Sequence, residues 1–384
     1  MKTPGRSRPL AAALITLAVG CGGSGPSHPA TTSYAWVLPA GFPAPAVPDD
    51  NPMSDAKVEL GRRLFFDTRL SRNGTQSCGS CHKQELAFTD GLTVSVGSTG
   101  ERHPRNSPSI ANSAYRPALT WANPLMTSFE HQALVPMFGE RPVELGFVGG
   151  EDELMARLAN DPDTLARFEA AFPDAADDPV SLETITRALG SFERTVITGR
   201  SAYDRAVYGG EPEALSESAR RGMDLFFAGR LECDHCHGGL DFSGAIHREG
   251  KTDDPPKFEN NGLYNLDGHG AYPPDNPGIL AVTTNPADMG RFRPPSLRNV
   301  ALTAPYMHDG SMTTLAEVVD HYQRGGRRIE SGPYAGDGAL SPLKSPLVSG
   351  FSMAPSEKAD LIAFLESLSD PELLTDPRFA DPFR

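Results

Sequence analysis

"CGSCH" at Cys78–His82 and "CDHCH" at Cys233–His237 are the two stretches on which the fold turns. In Cys-x-x-Cys-His, both thiols can form thioethers to the vinyl groups of a haem while the adjacent histidine turns back to bind the iron. Cys-x-x-Cys alone would equally suit a thioredoxin-like redox pair or a zinc site. Two complete pentapeptides point instead to two covalently bound haem c groups. Cys78, Cys81, Cys233 and Cys236 are then the attachment points, and His82 and His237 are iron ligands. Cys21 is the only other cysteine, so none remain for structural disulfides.

Working outward, "GRRLFFDTRL" (Gly61–Leu70) precedes the first motif and "GMDLFFAGRL" (Gly222–Leu231) the second, sharing Gly-x-x-Leu-Phe-Phe-x-x-Arg-Leu. The repeat is an internal duplication of a helix leading into a haem loop. Helical spacing places Val58, Leu64 and Phe65 on one face of the first helix, and Met223, Phe226 and Phe227 on one face of the second. Ser54 and Ser216 are the expected N-caps. The fold expected is mainly α, with two tandem cytochrome c-like haem domains over 51–205 and 206–384 and long ordered loops. The Gly-, Pro-, Asn- and Asp-rich stretch from Lys251 to Pro295 is one such loop, placed over the second haem.

The N-terminus reads as an export signal: Lys2, Arg6 and Arg8 precede the apolar "LAAALITLAVG", which runs into Cys21. A cysteine there resembles a bacterial lipobox, which implies cleavage over 1–21 and lipidation of Cys21; ordinary secretion is the alternative. Residues 22–50 are a Pro/Gly-rich tether in which Trp36 has no assigned role. The expected location is the periplasm or an extracytoplasmic membrane face, with the membrane contacted only through Cys21. The formal net charge is −14, and loss of Lys2, Arg6 and Arg8 lowers it to −17. Such an acidic chain argues against nucleic acid and allows a neutral or basic protein partner.

"PYMHDGSMTTLAEVVDHYQRGG" (Pro305–Gly326) offers Met307, His308, Met312, His321 and Tyr322 to a metal. Thr314 and Glu317 form a Thr-x-x-Glu capping box, so a helix is expected from Leu315. Leu315, Val318, Val319 and Tyr322 share its buried face, and His321 points in a neighbouring direction. On the residues alone, Tyr322 reads as a core aromatic with a hydrogen-bonded hydroxyl.

The two haem motifs, with "HPRNSPSIAN", "RPVELG" and "RPPSLRNVALTAPYMHDGSMTTL", resemble the bacterial dihaem cytochrome c peroxidase and MauG superfamily from about residue 50 onward. "WVLPAGFPAPAVPDDNPMS" and "LTWANPL" are most similar to its MbnH-type branch. The resemblance implies that Tyr322, fourteen residues after His308, ligates the second iron where the peroxidases have Met. An oxygen ligand favours ferric and higher states over ferrous iron. Also implied are Glu144 of "VELG" as the acid/base for peroxide cleavage, with Glu140 as competitor, and Pro136 on the distal side. Trp121 becomes the relay between haems, and Asn106 with the carbonyls of Thr303 and Pro305 the site of one Ca²⁺. The first iron is open to H₂O₂: Ser98 lies near the position of the removable distal His, and His103 comes several residues later as a possible cap or a loop residue. His235 has no ligand role.

The function so implied is a peroxide-dependent oxidase that forms a high-valent two-haem intermediate. Its substrate would be a residue on a secreted partner, a Trp converted to kynurenine, the partner being a copper-binding protein. The alternatives are a cytochrome c peroxidase fed by a small cytochrome, and a non-enzymatic dihaem electron carrier.

Overall fold

The computed structural model describes residues 34–175, 177–252 and 255–384. The export signal and Cys21 lie outside the described residues. Six helices position the site: α1 (Asp55–Phe66), α2 (Phe129–Phe138), α3 (Leu182–Thr195), α4 (Glu217–Phe227), α5 (Leu315–Arg324) and α6 (Pro355–Glu366). Their starts are chemically marked. Ser54 Oγ accepts from the Lys57 amide at 3.2 Å, Ser216 Oγ accepts from the Ala219 amide at 3.1 Å, and Thr314 with Glu317 closes a reciprocal capping box. The architecture is mainly helical. Strand is confined, among the described residues, to two antiparallel two-residue ladders, His247–Arg248 with Lys251–Thr252 and Arg328–Ile329 with Gly336–Asp337.

The duplicated glycines explain how the halves are built. A Cβ at Gly61 would stand 1.9 Å from the Ala188 carbonyl oxygen, and one at Gly222 would stand 1.9 Å from that of Asp360. Only glycine lets α1 cross α3, and α4 cross α6, at that backbone separation. The aromatic pairs beside the crossings also repeat. Phe65 meets Phe192 with ring centroids 5.2 Å apart, and Phe226 meets Phe364 at 5.2 Å. Leu60, Leu64 and Phe65 of α1 are buried, as are Ala219 and Phe226 of α4. Phe227 departs from the expected buried face. It is 42% exposed, its ring 6.3 Å from Phe242 and 6.2 Å from Phe364.

The loop from Lys251 to Pro295 is largely irregular but supplies a core of its own, in which Phe258, Leu263, Tyr264, Tyr272, Ile279 and Phe292 pack with Trp121. The chain from Tyr34 to Arg384 forms one compact unit. Both of its ends contribute. The described part of the 22–50 segment is docked on the body: Phe42 is buried, and Tyr115 Oη donates to the Pro43 carbonyl at 2.8 Å. The C-terminal tail returns to the first half, where Gln84 Nε2 donates to the carbonyls of Leu373 and Asp376, both at 2.9 Å.

Candidate active site

His82 and His237 occupy matching environments. His82 Nδ1 donates to the Phe88 carbonyl at 3.1 Å, and His237 Nδ1 donates to the carbonyls of Phe242 at 3.2 Å and Pro295 at 3.1 Å. These bonds fix the tautomer and leave the lone pair of each Nε2 free, the arrangement an iron-ligating imidazole needs. Burial lowers the pKa of both rings, keeping them neutral. Burial also raises the thiols, Cys81 and Cys236 each to about 11. A redox-active or zinc-bound cysteine requires the opposite shift, and among the described residues no cluster of three His, Cys, Asp or Glu is placed to hold a metal ion.

The duplication runs further than the helices. Pro108–Asn112 ("PSIAN") and Pro295–Asn299 ("PSLRN") wrap the two histidines alike. Ser109 Oγ donates to the Ala87 carbonyl at 2.7 Å, and Ser296 Oγ donates to that of Asp241 at 2.6 Å. Asn112 and Asn299 both take the left-handed conformation, with φ of 60° and 61°, which Asn tolerates better than most residues. This second repeat is visible in the sequence once the Pro-Ser-x-x-Asn strings are aligned.

The first cavity, about 320 Å³, is lined by His82, Gln132, Pro136, Glu144, Glu193 and Trp121, among others. Gln132 and Pro136 stand one turn apart on α2, and backbone bonds from Leu145 to Pro136 (2.8 Å) and from Ser98 to the Glu144 carbonyl (2.7 Å) hold the "VELG" segment against it. Burial raises Glu144 to about 7. Glu140 is exposed and does not line the cavity. His103 does line it: its Nδ1 accepts from the Arg105 amide at 3.1 Å, and its Nε2 lies 3.9 Å from Glu144 Oε1. Burial lowers His103 to about 4, so it faces the carboxyl as a neutral ring. Sequence reasoning missed Gln132 and Glu193. Glu193 is buried and raised to about 8 by that burial. The signal for it was the duplication, in which Phe192-Glu193 aligns with Phe364-Leu365 and a carboxyl replaces an apolar side chain.

The second cavity, about 190 Å³, is lined by His237, Tyr322, Leu315, Val318 and Val319, so the whole predicted face of α5 is turned into it. Tyr322 is raised to about 12 by burial, opposed by a hydrogen bond with Asn261. Met307 also borders the cavity, where Asn261 Nδ2 donates to its sulfur at 3.5 Å, whereas Met312 is buried elsewhere. His321 is buried and bonded through Nε2 to the Asn261 carbonyl at 3.0 Å. His235 is half exposed, its Nδ1 2.9 Å from Glu232 Oε2.

The walls suit a flat apolar ring carrying carboxylates. Arg293 is buried in the second cavity with no carboxylate partner among the described residues, and its Nη2 bonds to nothing there. His308 Nε2 in the same wall is likewise unpartnered. In the first cavity, Arg105 bonds through Nε to the neutral Asn276 Oδ1 at 2.7 Å. Trp121 borders both cavities, and its indole N–H donates to the Asn106 carbonyl at 2.8 Å.

Asn106, Thr303 and Pro305 line a third cavity of about 70 Å³. Their oxygens suit a hard cation by donor type. Arg116 and Arg298 on its wall are paired with Asp241 at 3.1 Å and Asp204 at 2.8 Å. No carboxylate lines the cavity, so protein oxygens there offer an ion only neutral dipoles.

A family model described as di-haem cytochrome c peroxidase matches residues 55–212. The chain is 37% identical over 367 residues to cytochrome-c peroxidase IdrP1 of Pseudomonas sp. (strain SCT), covering 91% of this chain and 90% of that one. It is 35% identical over 334 residues to the methylamine utilization protein MauG of Methylorubrum extorquens, covering 86% and 83%. Among solved structures, a MauG-like protein associated with microbial copper homeostasis superposes with a TM-score of 0.88 at 51% identity, over 91% of this chain and all of that one. The diheme peroxidase BthA from Burkholderia thailandensis shares the fold, with a TM-score of 0.64 at 21% identity over 90% and 94%.

Proposed function

The chain belongs to the di-haem cytochrome c peroxidase and MauG family, whose members are haem-dependent enzymes acting with peroxide, and from that premise we propose that it oxidises a side chain, a tryptophan, on a secreted partner protein. The observation that carries the proposal is Tyr322 in the cavity of His237, at the position where the resemblance to the peroxidases would place a Met. The two haems supply the redox chemistry when bound, accepting two oxidising equivalents from one peroxide.

The chain's own residues do the rest. Cys78, Cys81, Cys233 and Cys236 would hold the two haems covalently, His82 and His237 would bind their irons, and Tyr322 would offer its oxygen from α5. Glu144 in its ionised form takes the proton from the inner peroxide oxygen and returns it to the outer one. Pro136 and Gln132 narrow the space beside it. Trp121 places an indole in the wall common to both cavities, where an electron can cross. Asn106, Thr303 and Pro305 would hold Ca²⁺ between them. The halves 51–205 and 206–384 each serve as one haem domain, and the acidic chain works outside the cytoplasm, tethered through Cys21. The partner is a copper-binding protein, a choice supported by the 51% identical neighbour's association with copper homeostasis.

Similarity to the cytochrome-c peroxidases supports a second reading, reduction of H₂O₂ with electrons from a small cytochrome. One experiment separates them. The haem-loaded chain is given H₂O₂ and the partner with no other reductant, and the partner's tryptophan peptides are weighed. Oxidation of a tryptophan, lost in Tyr322→Phe, is the expected result. An unmodified partner, with turnover only when reduced cytochrome c is added, overturns the proposal.

A further inference from the structure

From the wall of the second cavity a line of aromatic rings runs to the surface. Phe292 and His308 stand in that wall, stacked with centroids 3.5 Å apart at 11°. Tyr272 lies 6.1 Å from Phe292 and 6.2 Å from His308. Tyr264 follows at 5.3 Å and Tyr334 at a further 5.8 Å. Each step is within the contact range of neighbouring aromatic rings. Exposure rises along the line, from 3% at Tyr272 and 7% at Tyr264 to 44% at Tyr334.

Packing alone would be served by phenylalanine, but here the hydroxyls are placed for chemistry. Tyr264 Oη donates to Asp309 Oδ2 at 2.5 Å, the short geometry of a charge-assisted bond. A phenol that gives up an electron must also shed its proton, and a carboxylate at this distance receives it. Tyr272 instead faces the amide oxygen of Asn260 at 2.8 Å, which is no base. Tyr272 is therefore a point of passage and Tyr264 a resting place.

We propose that Tyr272, Tyr264 and Tyr334 form a redox path from the second cavity to the surface, with Tyr334 as the point where the docked protein side chain is oxidised. The inference rests on the peroxide chemistry proposed above. In the first step Tyr264 loses an electron inward through Tyr272, its O–H bond breaks, and Asp309 takes the proton. In the second, Tyr334 passes an electron to the Tyr264 radical, Asp309 returns the proton to the Tyr264 oxygen, and the Tyr334 proton goes to water. The Tyr334 radical then takes an electron from the partner and a proton from water, which restores its phenol.

The test uses the full haem-loaded chain with H₂O₂ and the spin trap DMPO, without partner. Haem absorbance is followed, and adducts are located by peptide mass spectrometry. An adduct on Tyr334 is expected, abolished in Tyr264→Phe and in Asp309→Asn; the latter keeps every ring while removing the proton acceptor and, with it, the charge that faces Arg327 at 3.7 Å. An absorbance change without a Tyr334 adduct, or an adduct that survives both substitutions, overturns the path and leaves the peroxide chemistry standing. Absorbance unmoved by H₂O₂ overturns both.

Discussion

At the scale of the residue, Glu144 makes the most direct prediction. Burial raises its carboxyl to about 7, so below that pH it is neutral and above it is ionised. Only the ionised form can accept the first proton of peroxide. The rate of haem oxidation by H₂O₂ should therefore climb as pH rises through about 7 and flatten above it. Glu144→Gln should remove this dependence and slow the reaction by about 10²–10⁴-fold, as stopped-flow absorbance would record. Glu140→Gln, outside the cavity, should leave both unchanged. Such roles were unevenly legible. Cys-x-x-Cys-His is local chemistry written in five consecutive letters, so candidate haem attachment points can be named from the sequence directly. Tyr322 could be placed on a buried helical face by period, but whether that face meets a core or a cavity depends on His237, far away in the chain. Gln132 was invisible for the same reason, lying on an ordinary-looking helix whose packing partner alone decides what its side chain faces, and Glu193 was marked only by its alignment with Leu365.

At the scale of the element, the two glycine crossings carry the fold. In a free helix interior Gly→Ala gains about 1 kcal/mol. At Gly222 the added Cβ would sit 1.9 Å from the Asp360 carbonyl oxygen, a backbone atom that cannot swing aside. Gly222→Ala should therefore destabilise the haem-loaded protein by about 1–3 kcal/mol. The measurement is urea unfolding, with the midpoint lowered and the slope unchanged. A neutral or stabilising result would mean that α4 and α6 can separate without cost. The duplicated Gly-x-x-Leu-Phe-Phe string announced these helices and their caps, but not what they cross. Phe227 shows the limit of period alone: its position on the wheel placed it inside, while the protein leaves it 42% exposed beside the haem loop.

At the scale of the whole molecule, the halves share a scaffold and differ in what they enclose. The first cavity holds Glu144, Glu193, Gln132 and His103; around Tyr322 the second is walled largely by Leu, Val and Phe. The long loop from 251 to 295 and the C-terminal tail join the halves by contacts that no local pattern announces, because they pair residues hundreds of positions apart, as Gln84 does with Leu373. Arg293 adds a consequence for how the protein comes into being. Until an anion reaches the second cavity, a chain folded to this shape carries an interior cation answered only by the carbonyls of Thr120 and Pro294, and burial has already drawn its pKa down to about 9. An uncompensated buried charge costs about 3–5 kcal/mol. Maturation and survival are thereby linked: a polypeptide that misses its second haem should open around residues 251–295 and be cut there by a protease that spares the finished enzyme. Limited proteolysis of a Cys233→Ala/Cys236→Ala chain would show whether the compartment can tell the two apart.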